Sequence, residues 1–417
     1  MNNMVYSGVE WIGDIPENWK LCRFKDCYKS VKEIVGKDSI NYERLALTLN
    51  GVIKRNKDDS DGLQPQAFDT YQLLRKNDFV FKMIDLQNIS TSRVGLSDFD
   101  GLVSPAYLRF SPLSNQQNTK YDYYFLMSMY YNCVFNNLGG NGVRSALNAK
   151  DMGGFVITNP DDITKSKIVE YLDKKNEQIQ KLILNQEEQI KNLKEYKHSL
   201  ISEIVIKGLN ENVETRESEI EWLGRIPKHW KINRGKNVLN LLNRKIKDTD
   251  EVITCFRDGE VTLRKNRRED GFTFSNKEIG YQGIEVGDLV IHGMDGFAGA
   301  IGISDSRGKA SPVLIVCDSS HNKKYLCYYL RNLAYRDIFQ ALSTGIRVRS
   351  CDLRWNKLSV LPIVLPPKEE QEEIVNYLDR KCEQIENLIK IKESKIENLI
   401  AYKKSIVFEY VTGKKKI

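Results

Sequence analysis

Ser7-Gly-Val-Glu-Trp-Ile-Gly-Asp-Ile-Pro-Glu-Asn-Trp-Lys20 returns later in the chain as Ser218-Glu-Ile-Glu-Trp-Leu-Gly-Arg-Ile-Pro-Lys-His-Trp-Lys231. Glu10, Trp11, Gly13, Ile15, Pro16, Trp19 and Lys20 match Glu221, Trp222, Gly224, Ile226, Pro227, Trp230 and Lys231. Two tryptophans at fixed spacing around Gly and Pro are hard to obtain by chance. A second anchor follows the first: Ile168-Val-Glu-Tyr-Leu-Asp173 matches Ile374-Val-Asn-Tyr-Leu-Asp379. A third matches Glu195-Tyr-Lys-His-Ser-Leu200 with Ala401-Tyr-Lys-Lys-Ser-Ile406. Between the anchors the echo is faint, as in Gly101-Leu-Val-Ser-Pro105 against Gly308-Lys-Ala-Ser-Pro312, or Asn77-Asp-Phe-Val80 against Gly287-Asp-Leu-Val290. Similarity in a fixed order is the mark of an internal repeat. The chain is one half-unit written twice, with anchors that agree closely and intervening stretches that agree only in outline.

Each repeat ends in a long helical pattern. From about Asp162 to Lys207, apolar residues recur in heptad fashion at Ile168, Leu172, Ile179, Ile183, Ile190, Leu193, Leu200 and Ile204. Asp162 or Thr164 can cap the start, and Gly208 can end it. The copy begins near Lys368, after Pro366 and Pro367, with a seam of Ile374, Leu378, Ile385, Leu388, Ile396, Leu399 and Ile406. A lone rod of this kind leaves an apolar stripe in water. The two rods are therefore expected to pack on each other in antiparallel fashion, on a partner, or on both.

The stretches Leu21–Asn159 and Ile232–Leu365 mix short β-branched runs with aromatic-rich helical ones. Leu102–Phe110, Ile284–Ser304 and Val313–Val316 predict strands; Asp122–Val134 and Lys324–Ala341 predict helices. The expected class is α+β: a first globular domain over 1–160, a long helix over 161–209, a linker and restart over 210–231, a second globular domain over 232–366 and a closing helix over 367–417.

Composition fits a soluble globular protein. Of 417 residues, 29% are charged and 41% hydrophobic, with a net charge of +7. That excess is mild, so a nucleic-acid surface has to come from local clustering. No apolar run is long enough to span a bilayer, and Met1–Glu10 does not read as a secretion signal. The eight cysteines include no Cys-x-x-Cys and the four histidines are scattered, which argues for reduced thiols in a cytoplasm and against a zinc cage.

No catalytic centre emerges. There is no phosphate-cradling Gly-x-x-x-x-Gly-Lys-Ser/Thr and no Asn/Asp-Pro-Pro-Tyr/Phe of an amino-methyltransferase. Gly293, Gly296, Gly299 and Gly302 lack the dinucleotide-turn spacing and read as strand–turn–strand. Pro160-Asp161 with Asp173-Lys-Lys175 imitates a nuclease signature only superficially. The tryptophan pairs and Tyr171, Tyr196, Tyr377 and Tyr402 read as packing residues, and the charged runs at Asp173 and Asp379 as solvated faces.

Two basic runs are more informative. Lys54, Arg55, Asn56 and Lys57 follow Gly51; Arg264, Lys265, Asn266, Arg267 and Arg268 follow Gly259. They occupy corresponding places in the two copies, on expected loops. Arginine can fork onto guanine, asparagine can pair with adenine, and lysine suits phosphate. Arg144, Arg347 and Arg349, near glycines, are further candidates that a salt bridge explains as readily.

The layout resembles the DNA-specificity subunit of a type I restriction–modification system. The resemblance rests on Trp11-Ile-Gly-x-Ile-Pro-x-x-Trp19 and its copy. It rests also on Leu365-Pro-Pro-x-Glu-Glu-Gln371 leading into Ile374–Asp379, on Tyr402-Lys-x-Ser-Ile406, and on Val411-Thr-Gly-Lys414. The first copy departs from it, with Asn159-Pro-Asp-Asp-Ile163 before its rod and Val205-Ile-Lys-Gly208 after it. The resemblance implies two target-recognition domains, each reading one half of a split sequence in double-stranded DNA. It implies that Ile168, Leu172, Ile179, Leu193, Leu200, Ile374, Leu378, Ile385, Leu399 and Ile406 serve inter-helix packing or docking of two modification subunits. Those partners would carry S-adenosylmethionine, and restriction subunits ATP and Mg; this chain would hold no cofactor or metal and would be a non-catalytic reader. The alternatives are a coiled-coil scaffold or interaction protein, or a fragment of a self-sufficient restriction or methyltransferase enzyme.

Overall fold

The computed structural model describes residues 3–49, 51–57, 67–84, 93–114, 117–137, 146–267, 279–341 and 353–417. Both expected rods are continuous helices, Asp162–Lys207 and Lys368–Val411. Asp161, rather than Asp162 or Thr164, caps the central helix. Its carboxylate accepts from Thr164 N (2.9 Å) and Thr164 Oγ1 (2.7 Å), and these bonds hold the carboxyl below its usual range. Gly208, at φ +81°, ends the helix. The C-terminal helix starts behind Pro366 and Pro367, where Gln371 Nε2 donates back to Pro366 O (2.8 Å), and stops at Gly413 (φ +70°).

Two compact units result: residues 1–186 with 394–417, and residues 187–393. In the first, the opening turns of the central helix meet the closing turns of the C-terminal helix. Ile168, Leu172, Ile179 and Ile183 share a core with Ile406, Val407, Tyr410 and Val411, and the rings of Tyr171 and Tyr410 lie 4.5 Å apart. In the second, the closing turns of the central helix meet the opening turns of the other. Leu200, Ile201 and Val205 share a core with Ile374, Leu378, Ile385 and Ile389, and Lys197 pairs with Glu386 at 2.5 Å. Each unit thus holds an antiparallel helix pair.

The seam differs from its expected form in places. Leu193 and Leu399 are half-buried. Leu388 is 47% exposed, and Ile389 takes the buried position. The step from Ile385 is four residues here, which keeps an α-helical stripe facing one way. Tyr196 and Tyr402 are exposed and do not pack as the sequence suggests.

An aromatic helix clamps each head to its helix pair, and most of the clamp's bonds repeat. In the first unit, within Thr119–Tyr131, Tyr121 Oη reaches Val411 O (3.1 Å) and Thr158 Oγ1 (2.8 Å). Lys120 and Tyr124 both bind Asp173, at 2.6 and 2.5 Å. In the second, within Lys323–Tyr335, Tyr325 Oη reaches Val205 O (3.2 Å) and Val364 O (2.9 Å). Lys324 and Tyr328 both bind Asp379, each at 2.8 Å. Asp173 and Asp379 are therefore anchors of the head, not free solvated faces. The tryptophans wedge the same joint: Trp230 is buried beside Gly208, and Trp19 lies beside Gly413.

The heads are built from short strands. The first has one sheet ordered Gly51–Arg55, Arg44–Thr48, Gly101–Val103, Gln72–Leu74, and another ordered Tyr28–Ser30, Leu108–Pro112, Phe79–Lys82, Arg93–Leu96. Phe24, Tyr28, Phe79, Phe81 and Phe110 fill its centre. The second has a sheet ordered Asn240–Leu241, Leu314–Asp318, Leu289–His292, Ile301–Ile303, with smaller ribbons beside it. The expected strand Leu102–Phe110 is two strands separated by a turn, Gly101–Val103 and Leu108–Pro112. The expected helix Lys324–Ala341 breaks after Tyr335, where Asp337 takes φ +56°, and resumes at Ile338–Ala341. The glycine series does form a strand–turn–strand, with Gly296–Ala298 as a 3-10 turn and Gly299 at φ +92°.

The faint echoes are structural equivalences. A Cβ on Gly101 would meet Glu43 O, and one on Gly308 would meet Glu251 O, because the backbones cross closely there. Asp78 and Asp288 both close a turn by accepting a backbone N–H, from Arg75 (2.9 Å) and Glu285 (2.8 Å). Each is buried and needs a cation. In the first unit that cation is Arg109, on a neighbouring strand, with Nε 2.6 Å from Asp78. In the second it is Arg244, whose guanidinium forks onto the Asp288 carboxylate.

Candidate nucleic-acid interface

The two basic runs sit on one structural element in both units. In the first, Arg44–Thr48 and Gly51–Arg55 form a hairpin, with Gly51 at φ +95°. In the second, Ile253–Cys255 and Val261–Leu263 form one, with Gly259 at φ +93°. Leu102 N donates to Glu43 O, and Lys309 N donates to Glu251 O, each at 2.8 Å, which sets the two hairpins in register. Leu45 then corresponds to Ile253; their partners are Lys54 and Leu263. Lys54–Lys57 thus falls on Leu263–Asn266.

Neither run is a simple loop. Lys54 and Arg55 end a strand, and Arg264–Asn266 form a 3-10 turn after one. Arg268, Arg144, Arg347 and Arg349 lie outside the described residues.

Each hairpin borders a cleft. The first, about 630 Å³, is lined by Tyr42, Glu43 and Arg44 on one strand edge and by Lys54–Lys57 on the other. Lys54 pairs with Glu43 (2.6 Å) and lies 5.1 Å from the Phe99 ring centre. Lys57 donates to Ser39 O (2.8 Å), and both Lys57 and Arg44 lie over Phe68. Cations are thus interleaved with aromatic faces, and the exposed Lys54–Glu43 pair is weak enough to exchange for a phosphate.

The second cleft is larger, about 880 Å³, and is lined by Phe256, Arg257, Arg264, Arg267, His292, Met294 and Asp295 among others. Part of the sequence-predicted run is engaged within the fold here. Lys265 pairs with Glu251 (2.5 Å), and Asn266 Nδ2 donates to Thr262 Oγ1 (2.9 Å). Arg267 binds Asp258 (2.5 Å) and Glu260 (3.1 Å) and stacks over Phe256 at 4.3 Å. Its hydrogen bond to Asp258 raises the guanidinium further above its usual value. Burial opposes charge on Asp258, but the Arg267 hydrogen bond, the Glu260 N–H and the charges of Arg267 and Arg331 together outweigh it and hold that carboxyl below its usual range. Arg257, which sequence reading passed over, is different. It is 66% exposed at the hairpin tip and, among the described residues, is held by one ion pair, Nη2 to Asp295 Oδ1 at 2.9 Å. Asp295 is fixed in turn by His292, whose Nδ1 accepts from Met294 N (3.2 Å) and Asp295 N (2.9 Å). Burial lowers the His292 pKa, which suits the neutral, accepting ring.

Among the described residues, no group of His, Cys, Asp and Glu could hold a metal, and no helix is long and apolar enough to cross a membrane. Residues 16–192, which include the first cleft and the opening of the central helix, match the family model of the type I restriction modification DNA specificity domain. This chain resembles type I DNA-specificity subunits. The fold extends the likeness beyond the matched residues. A chain from a solved type I restriction–modification assembly superposes with a TM-score of 0.67 at 13% identity, covering 96% of this chain and 99% of that one. The HsdS subunit from Thermoanaerobacter tengcongensis superposes with a TM-score of 0.50 at 14% identity, covering 98% and 100%. At such identities the likeness is one of fold: two heads and two long helices.

Proposed function

We propose that this chain is the non-catalytic DNA-recognition subunit of a type I restriction–modification complex. Each head reads one half of a bipartite target in double-stranded DNA, over residues 1–160 and 232–366. The observation that carries this reading is the pair of equivalent hairpins, each placing a cationic cleft at the same point of a repeated head, one of them inside the matched specificity domain. A repeated reader suits two half-sites, as in dimeric DNA-binding proteins. The repeated clamp and helix ends offer alike surfaces to two modification subunits. Those subunits bring S-adenosylmethionine, and restriction subunits bring ATP and Mg. In this reading Lys54, Arg55, Asn56, Lys57, Arg264 and Lys265 contact DNA, lysines mainly at phosphate; Arg144, Arg268, Arg347 and Arg349 remain candidates.

Reconstitution tests it. The purified chain transfers no methyl group to DNA; mixed with its modification partner and S-adenosylmethionine, it directs methylation to one defined sequence. Methyl transfer by the chain alone, or partner activity whose sequence preference ignores the chain, would overturn the reading.

A further inference from the structure

In the second cleft two members of the basic run, Asn266 and Arg267, are engaged within the fold. Arg267 has its guanidinium divided between Asp258 and Glu260 and its face on Phe256. Freeing it would break the cluster that shapes the hairpin. Asn266 is likewise tied to Thr262, while Lys265, in an exposed pair with Glu251, suits phosphate and not a base. Arg257 stands at the cleft mouth, with one ion pair among the described residues and most of its side chain exposed.

Its partner narrows the ligand. A carboxylate beside an arginine weakens that arginine as a phosphate grip, because Asp295 repels the phosphate charge. The same pair complements a base-pair edge that offers acceptors on one side and a donor on the other. In the major groove only G·C does so in the required way. Guanine O6 and N7 accept a forked guanidinium, and cytosine N4 donates to a carboxylate. The pair is also held in advance: Asp295 N is bound by His292 Nδ1, and Asp295 in turn orients Arg257. We propose that Arg257 and Asp295 together read one G·C base pair in the half-site of the second head, Arg257 on guanine and Asp295 on cytosine.

This rests on the DNA-recognition reading above, and the two can fail separately. The assay is methylation by the complete complex on a duplex set in which each base pair of the target is changed in turn. If the wild-type complex shows no sequence preference, the recognition reading fails and the pair falls with it. If the wild type is selective, Arg257→Lys and Asp295→Asn decide the pair alone. Lysine keeps the charge but cannot fork, so Arg257→Lys should lose about tenfold or more of the discrimination at a single G·C position. Asp295→Asn should lose a smaller factor at that same position, and the half-site of the first head should be unchanged in both, which also shows that the complex is folded. Undiminished discrimination, or equal slowing on every duplex as a phosphate contact would give, would overturn the assignment.

Discussion

The clamp and the cleft have diverged to very different degrees between the two units. At the clamp, Tyr121, Lys120, Tyr124 and Asp173 repeat as Tyr325, Lys324, Tyr328 and Asp379, with the same donors on the same acceptors. At the cleft, the hairpin repeats with an exposed lysine–glutamate pair across it, Lys54–Glu43 and Lys265–Glu251, but the other residues do not: Lys54 also faces Phe99, while Arg257 reaches across to Asp295. Even the buried aspartate shared by the heads takes its arginine from a different place, a strand in the first and the stretch after Asn240–Leu241 in the second. Repetition at the clamp is what two alike surroundings require. Divergence at the cleft is what two unlike ligands require.

The largest expected effect lies in the frame. Leu172 and Leu378 are fully buried in the two helix pairs. Leu172→Asp and Leu378→Asp should each cost several kcal/mol (about 3–5), because each buries an unpaired charge. Half-buried Leu193→Asp and Leu399→Asp should cost clearly less in the same denaturant titration. Equal losses across all four would mean that the seam is not the one described.

Next come the paired hairpin glycines. Both sit at positive φ, so alanine strains either backbone by about 1–2 kcal/mol. At Gly51 a Cβ meets only Tyr123 Oη at 3.8 Å, whereas at Gly259 it runs into the Arg331 guanidinium and Ile301 O. Gly259→Ala should therefore lower the melting temperature more than Gly51→Ala, and the reverse order would contradict the surroundings described for the two glycines.

A subtler asymmetry is chemical. Asp122 follows Tyr121 where Leu326 follows Tyr325. Burial raises the Asp122 pKa, against the opposing hydrogen bonds from Tyr28 and Gln117. The folded state therefore favours the neutral acid. The stabilising contribution is complete below the ordinary carboxyl value and is lost as pH rises through the higher folded value. Asp122→Asn should flatten that part of the stability–pH curve, measured by thermal melting. The smallest effect concerns Lys54→Ala: if it removes one phosphate contact, the slope of log affinity against log salt should shrink by about one unit for the whole complex.

The helices were legible because heptad spacing is local and the residues that set it are near neighbours. The slip in the seam at Leu388 and Ile389 arose where both adjacent positions are apolar and only the three-dimensional stripe chooses between them. The strands were less legible. Runs such as Gly101–Val103 and Gln282–Ile284 are three residues long, too short for alternation to show, and their identity comes from backbone crossings. The basic runs were visible as charge, but not their commitments: nothing near Arg267 in sequence reveals that Asp258, Glu260 and Phe256 immobilise it. Arg257 was passed over because its partner Asp295 is distant in sequence and is brought near only by folding.

The central claim is that the two heads read separate halves of one target. Sequencing that detects methylated bases, applied to DNA from cells carrying the chain and its modification partner, tests it most directly. The account predicts a two-part motif with an unread gap, in which changing Lys54–Lys57 alters one part and changing Arg257 alters only the other. A single continuous motif, or variants in either head that alter both parts together, would contradict it.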